Sequence, residues 1–159
     1  MKPDNDFLQK YLDDVRDEMK WRRELEFRLL QFLLVFYPII GTAMVTLYQT
    51  AISPTIYIVL SIGASLFILP ATFFVTNRIT VEHNAYTRLA KTVIKIWGYF
   101  GLFEKNAYIK NESILDSSLQ DPKTGFGQGK GYIRTLYLIW TVTAAMIILI
   151  LTLGILKFL

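Results

Sequence analysis

The chain has 159 residues, of which 53% are hydrophobic and only 19% charged, and its net charge is +4. A soluble domain carries about 25% charged residues, and a globule of this length leaves roughly a third of its unfolded-chain surface exposed. The composition therefore disfavours a soluble enzyme and indicates a membrane protein. The chain has no cysteine, which excludes disulfides and thiol nucleophiles. Because it also has a single histidine, His83, we predict no metal or cofactor.

Three apolar runs, at residues 29–52, 55–76 and 135–156, contain no Asp, Glu, Lys or Arg and are each 22 residues or longer. About 20 such residues span a hydrocarbon core of about 30 Å, and a spanning segment has to satisfy its backbone hydrogen bonds internally. We therefore predict an all-α fold, namely an integral membrane protein with three transmembrane helices and a cytoplasmic layer of amphipathic helices.

The pattern divides the chain into five predicted parts. In chain order they are 1–28 (a cytoplasmic helix continuous with the first span), 29–52 (first span), 55–77 (second span), 78–131 (a cytoplasmic amphipathic helix and a glycine-rich linker) and 132–157 (third span). Pro54 suits the first turn of the second helix. No helix breaker follows the second span, so we expect its helix to leave the membrane and to turn at Gly98 or Gly101.

Positive charge is distributed unevenly along the chain. Of the 17 Lys and Arg residues, all except Lys157 lie before the first apolar run or between the second and the third, and all 13 acidic residues share those segments. Positively charged segments stay on the cytoplasmic side during insertion. We therefore expect a bacterial or archaeal cytoplasmic membrane, with the N-terminus inside and the C-terminus outside, and we interpret the basic balance as topology and not as nucleic-acid binding.

Both cytoplasmic segments carry an apolar face at helical spacing. We expect these faces to form an interaction surface that comprises Leu8, Leu12, Val15 and Met19 in the first segment and Tyr86, Leu89, Val93, Trp97 and Phe100 in the second. The second segment also has a basic face that suits anionic lipid or a protein partner, formed by Arg88, Lys91 and Lys95. Either the two apolar faces pack together as a helical stalk, or the second helix lies flat on anionic lipid.

The predicted spans hold hydroxyl and small side chains but no charge. Pumps, ion-coupled carriers and voltage sensors place ionisable residues in the membrane, so the sequence argues against those classes. Small and hydroxyl side chains promote close packing of helices, and in several copies they would line a water path. The candidates for oligomer or pore packing are Thr42, Thr46, Ser61, Ser65, Thr141 and Ala145.

Arg78 and His83 form an Arg-x4-His pair at the end of the second apolar run. The pair resembles the motif of the HEPN superfamily of helical ribonucleases. That resemblance implies a histidine that assists proton transfer and an arginine that stabilises a phosphate charge. The simpler interpretation makes Arg78 a positive-inside anchor and Glu82 and His83 ordinary helix-surface residues, and it leaves the chain without a catalytic residue.

The order of a short cytoplasmic helix, two spans joined by a tight hairpin and a long cytoplasmic helix resembles the SLATT-type membrane effectors of prokaryotic antiviral defence. The resemblance covers residues 21–76 and 86–103, and the third span has no counterpart in that two-span pattern. Together with the small size, the charge-poor outer face, the uncharged spans and the amphipathic cytoplasmic surface, it favours a non-enzymatic homo-oligomer that forms a pore or perturbs the membrane. Such a protein would be controlled through its cytoplasmic helices, with the lipid bilayer and a cytoplasmic protein as partners. The alternatives are a structural or anchoring subunit of a larger membrane complex, and a membrane-tethered HEPN-like ribonuclease that uses Arg78 and His83.

Overall fold

The computed structural model of the chain describes residues 5–107, 110–121 and 130–159, and these residues form three long α-helices. Helix α1 is Asn5–Gln49, α2 is Pro54–Tyr99 and α3 is Lys130–Phe158, with a short 3-10 helix at Ser117–Gln120 between α2 and α3. Each long helix is apolar and long enough to cross a membrane. The predicted all-α fold with three such helices is therefore confirmed, whereas most of the glycine-rich linker lies outside the described residues.

Helices α1 and α2 each run without interruption through a charged segment and an apolar segment. Helix α1 ends at Gln49, short of the predicted boundary at residue 52, and α2 begins at Pro54 as expected. A proline fits this first position because its missing N–H would have no partner within the helix. Pro38 and Pro70 lie inside α1 and α2, respectively.

Gly101 ends α2. Its φ is +68°, in the left-handed region where a glycine has no steric cost. The N–H of Gly101 donates to the carbonyl of Gly98, and the N–H of Leu102 donates to the carbonyl of Trp97. This pair of hydrogen bonds is a Schellman cap, which satisfies carbonyls at the end of the helix. The turn predicted at Gly98 or Gly101 thus takes place at Gly101.

The contacts within the chain divide it into two compact units, and α1, α2 and α3 contribute to both. We call Met1–Glu26 with Thr80–Ile133 the polar unit, because it holds the charged ends of α1 and α2. We call Phe27–Ile79 with Arg134–Leu159 the apolar unit, because it holds the three apolar runs.

The core of the polar unit joins the two apolar stripes that the helical spacing predicted. Its buried members are Leu12, Val15, Met19, Tyr86, Ala90, Val93 and Ile96, and Leu89, Trp97 and Phe100 pack against them. Burying a Leu, Val or Met side chain contributes about 1.5–3 kcal/mol, so this core stabilises the pairing of α1 with α2. The structure therefore favours the helical stalk, and the alternative in which the second stripe lies on lipid is wrong because those side chains are buried against α1.

The core of the apolar unit contains hydroxyl groups that connect all three helices. The Tyr37 hydroxyl on α1 lies 2.8 Å from the Thr72 hydroxyl on α2 and 2.6 Å from the Thr143 hydroxyl on α3. Thr72 and Thr143 are also hydrogen bonded to carbonyls one turn earlier in their own helices, at Ile68 and Ile139. We call these three side chains the hydroxyl node. Such a node satisfies polar groups that are buried away from water.

Gly154 lets α2 and α3 of the apolar unit approach one another closely, and Gly41 leaves room for the flexible side chain of Met146. A Cβ added at Gly154 on α3 would lie 3.1 Å from the Ser61 hydroxyl on α2. A Cβ added at Gly41 on α1 would lie 2.6 Å from the terminal carbon of Met146 on α3. Close backbone approach at small residues is the usual way in which helices associate in lipid.

Lys157, in the last turn of α3, binds the end of α1. Its ammonium donates to the carbonyl of Tyr48, to that of Thr50 at 2.6 Å and to that of Leu47 at 3.4 Å. The same ammonium lies 5.4 Å and 5.6 Å from the ring centroids of Tyr48 and Tyr57. The carbonyl end of a helix carries partial negative charge, so a cation there is stabilising.

Candidate functional site

At one end of the polar unit, polar residues occupy the core positions of α1 and α2 that are apolar elsewhere. On α1 the spacing of Val15 and Met19 continues to Arg22 and Glu26, which therefore share the core face of the helix. On α2, Glu82 lies one turn before the buried Tyr86. Since residues on such a face are buried, this arrangement brings charged side chains into the interior.

A part-buried ion pair joins Arg22 on α1 to the buried Glu82 on α2. Arg22 Nη1 lies 2.6 Å from Glu82 Oε2, and the Glu82 side chain is only 2% exposed. Arg22 also donates from Nη2 and Nε to Glu18 Oε1 on its own helix, at 2.6 Å and 3.1 Å. A buried carboxylate is tolerated when a partner of opposite charge binds it, and the guanidinium of Arg22 provides that partner.

Glu26, His83 and Tyr132 form the neighbouring part of this cluster, with one residue from each long helix. His83 Nδ1 lies 3.9 Å from Glu26 Oε1, too far for a hydrogen bond. The His83 ring stacks on the Tyr132 ring with a centroid distance of 3.9 Å, and the Tyr132 hydroxyl donates to Thr80. Among the buried side-chain polar atoms that the structure describes, Glu26 Oε1 alone has no hydrogen-bond partner.

Burial moves the pKa values of Glu26 and His83 toward each other. It raises the pKa of Glu26, an effect to which the Glu82 charge adds and which the Arg23 charge opposes. It lowers the pKa of His83, and Arg23 acts in the same direction. His83 is therefore neutral at pH 7. Burial therefore disfavours the charged form of both groups, and the 3.9 Å between them is too long for direct proton transfer.

We expect acidification to remove a contribution of His83 to stability. Because its folded pKa is below 6.5, the contribution is complete above pH 6.5 and declines as pH falls through the folded pKa. His83→Phe keeps a ring against Tyr132 and removes the titration. Below pH 6.5, the free energy of unfolding of the wild type should fall relative to that of His83→Phe, by no more than about 1.4 kcal/mol per pH unit.

The raised pKa of Glu26 makes stability change with pH in the opposite direction to His83, which gives a second test of the same cluster. A carboxyl with a raised folded pKa contributes stability below pH 4.5 and loses it as pH rises through the folded pKa. Glu26→Gln should therefore gain stability relative to the wild type as pH rises from 4.5. Unfolding curves in detergent between pH 4.5 and 7.5 measure both effects, and parallel curves for the wild type and both variants would contradict the burial argument.

The interpretation of Glu82 and His83 as ordinary helix-surface residues is wrong. Glu82 is buried with Arg22, and the His83 side chain is 16% exposed. Sequence reasoning missed Arg22, Glu26 and Glu82, although a signal was present, because each continues the spacing of an apolar stripe. Arg78 belongs to the apolar unit and His83 to the polar unit. They are five positions apart on α2, which places them about 140° apart around the helix axis, so they point in different directions.

The remaining predicted site residues fall into three groups. The residues of the two predicted apolar stripes pack together in the core of the polar unit. Leu8 is the exception, because it is only half-buried and lies outside the core cluster. The basic residues of the second segment are exposed on α2: Arg88, Lys91 and Lys95. In the apolar unit, Ser61 and Ser65 are buried, and the following are exposed: Thr42, Thr46, Thr141 and Ala145.

Over residues 5–107, 110–121 and 130–159, the structure has no group of three or more His, Cys, Asp or Glu side chains that would hold a metal ion. The cluster around Arg22 contains the ion pairs of Arg22 with Glu18 and Glu82, beside the contact of Glu26 with His83. Comparisons of the chain with models of protein families, with curated proteins and with solved structures found no match.

Proposed function

We propose that the chain is a non-enzymatic, homo-oligomeric membrane protein of the cytoplasmic membrane that forms a pore or perturbs the bilayer. In this proposal the apolar unit lies in the bilayer, with the N-terminus inside and the C-terminus outside, and the polar unit receives a signal or a protein partner in the cytoplasm. The inference is consistent with the resemblance to prokaryotic antiviral effectors. Its main support is the exposed surface of α1 in the apolar unit.

Thr42 and Thr46 are the observation that carries the proposal. Both are exposed on α1, and within the described residues neither side chain makes a hydrogen bond. Other hydroxyls of the apolar unit donate to a carbonyl four residues earlier in their own helix: Ser61, Ser65, Thr72, Thr76, Thr141 and Thr143. Thr42 and Thr46 therefore present two polar groups to lipid.

The surface around these threonines has room for a neighbouring helix. A groove of about 530 Å³ between α1 and α3 includes Pro38, Gly41, Thr42 and Thr46 in its wall. Pro38 lacks an N–H and so leaves the carbonyl of Leu34 without its helical donor. A second copy packed along this groove would supply hydrogen-bond partners that lipid cannot. Repeated around an axis, the threonine-bearing faces of several copies would line a polar path.

The test is the mass of the protein–detergent complex and the leakage of vesicles. We expect the wild type to be oligomeric by multi-angle light scattering and to release an entrapped dye after reconstitution. Thr42→Leu combined with Thr46→Leu removes both hydroxyls and fills the groove, so the mass should shift to that of a monomer and the leakage should disappear. Thr141→Leu is the matched control, because that exposed threonine is satisfied by the Tyr137 carbonyl.

A monomeric wild type, or an oligomer that keeps its mass in the double variant, would overturn the proposed interface. An oligomer that never causes leakage would reject the pore and the membrane-perturbing activity. Purification with a stoichiometric, different subunit would instead favour the anchoring alternative. Loss of RNA cleavage in His83→Ala would favour the ribonuclease.

A further inference from the structure

One flank of the polar unit carries a groove that combines positive charge with aromatic rings. The groove has a volume of about 390 Å³ and lies between α1 and α2. Helix α1 supplies Arg16, Met19, Lys20 and Arg23, and α2 supplies Tyr86, Val93 and Trp97. Three of these seven side chains are cationic and none is acidic.

The three cations lie on one face of α1, at the spacing i, i+4, i+7, and all are exposed. The ion pair of Arg16 with Asp13 is at the 4.0 Å limit and more than half exposed on both sides, so it neutralises little charge. Within the described residues, Lys20 makes no ion pair. Like charges one turn apart destabilise a helix slightly, and a bound anion would relieve that repulsion.

The other side of the groove is apolar and aromatic. The guanidinium of Arg23 lies 5.0 Å from the centroid of the Tyr86 ring, which holds this cation at the edge of the groove. The Trp97 indole is half-buried and packs edge-on against Phe103, at a centroid distance of 6.5 Å. A ring that is fixed in this way offers a surface on which a planar group stacks.

We propose that this groove binds a small anion with a planar ring, of the mononucleotide class. The phosphate would bind Arg16, Lys20 and Arg23, and the base would stack on Trp97. The volume lies at the lower end of the range of small-molecule sites, so the groove has room for a single nucleotide. A lipid headgroup would use the same cations but would leave the indole without a planar partner. The inference concerns the polar unit alone and does not depend on oligomerisation of the apolar unit.

Isothermal titration calorimetry of the full chain in a neutral detergent tests the proposal with three probes: adenosine monophosphate, inorganic phosphate and adenosine. The monophosphate should bind about ten-fold more tightly than either part, because stacking and charge neutralisation act together. Micelles containing phosphatidylglycerol form a fourth arm, and they should compete with the monophosphate no better than free phosphate does.

Lys20→Gln should weaken binding of the monophosphate and of inorganic phosphate by the same factor, about five- to ten-fold, because the charge meets only the phosphate. Trp97→Leu should remove the advantage of the monophosphate over phosphate and leave phosphate binding intact. Lys10→Gln, an exposed lysine of α1 outside the groove, is the matched control and should bind like the wild type. The thermal midpoint of each variant shows whether it is folded.

Three results would overturn the proposal. The first is equal affinity for the monophosphate and inorganic phosphate in the wild type, or no measurable binding of either. The second is unchanged binding in a folded Lys20→Gln variant. The third is preferential binding of phosphatidylglycerol, which would identify the groove as a contact for the membrane surface. None of these results bears on the mass of the oligomer, so failure here and failure of the proposed function are distinguishable.

Discussion

Arg22→Ala is expected to destabilise the polar unit by about 1–3 kcal/mol, the usual cost of removing a charged hydrogen-bond partner from a buried group. The reason is Glu82, whose side chain is 2% exposed and which would lose the guanidinium that lies 2.6 Å away. The attraction between the two groups is not the main cause, since it only offsets the desolvation of both charges. Unfolding by denaturant in detergent, followed by circular dichroism, measures the loss.

Two further variants separate the loss of the Arg22 guanidinium from a general loss of packing. Replacing both partners with apolar residues, as Arg22→Met with Glu82→Leu, should recover most of the lost stability because the buried carboxylate is removed together with its Arg22 partner. Arg16→Ala on the same helix should change stability by less than about 0.5 kcal/mol, since its ion pair with Asp13 is 4.0 Å long and exposed. A double variant as unstable as Arg22→Ala would contradict the explanation.

Lys157→Met is expected to destabilise the apolar unit by about 2–3 kcal/mol. The ammonium donates to three carbonyls at the end of α1, and hydrogen bonds from charged donors and charges at helix ends contribute on this scale. The variant keeps the apolar stem of the side chain, so the loss reports the charge. Titration with sodium dodecyl sulfate in mixed micelles measures the free energy, and hydrogen exchange should increase in the last turns of α1 and α3.

Lys157→Arg and Lys91→Met are the controls for this experiment. The arginine keeps the charge, but its planar fork does not match carbonyls from three successive positions, so an intermediate loss is expected. Lys91 is exposed on α2, and its replacement should have almost no effect. A Lys157→Met variant as stable as the wild type would show that water or detergent replaces the ammonium at the end of α1 without cost.

Much of the fold follows from the sequence because its signals are local. Long uncharged runs predict helices that are able to span a membrane, Pro54 marks the start of α2, and a glycine permits the left-handed turn at residue 101. The spacing of Leu12, Val15 and Met19 also predicts which face of α1 is buried. Each of these signals is contained within a few turns of one helix.

The candidate site was harder to predict because its partners are distant in the sequence. Arg22 and Glu82 are separated by 60 residues, and nothing local to either residue states that they meet. The residue types also predicted solvent-exposed side chains for Arg22 and Glu82, since charged residues on a helix are usually exposed. The useful signal was positional: a charged residue at a core position of an amphipathic helix either weakens the fold or has a partner across the interface.

The hydroxyl node of the apolar unit has fewer hydroxyl protons than short polar contacts. Tyr37, Thr72 and Thr143 carry one hydroxyl proton each, yet they make two short contacts with one another and two with the carbonyls of Ile68 and Ile139. Four contacts cannot all be hydrogen bonds when only three protons are present. One contact is therefore always a pair of acceptors, and reorienting the hydroxyls transfers that deficit from one helix to another. The hydroxyl protons at the centre of the apolar unit therefore have more than one possible arrangement, and each arrangement leaves a different contact without a proton.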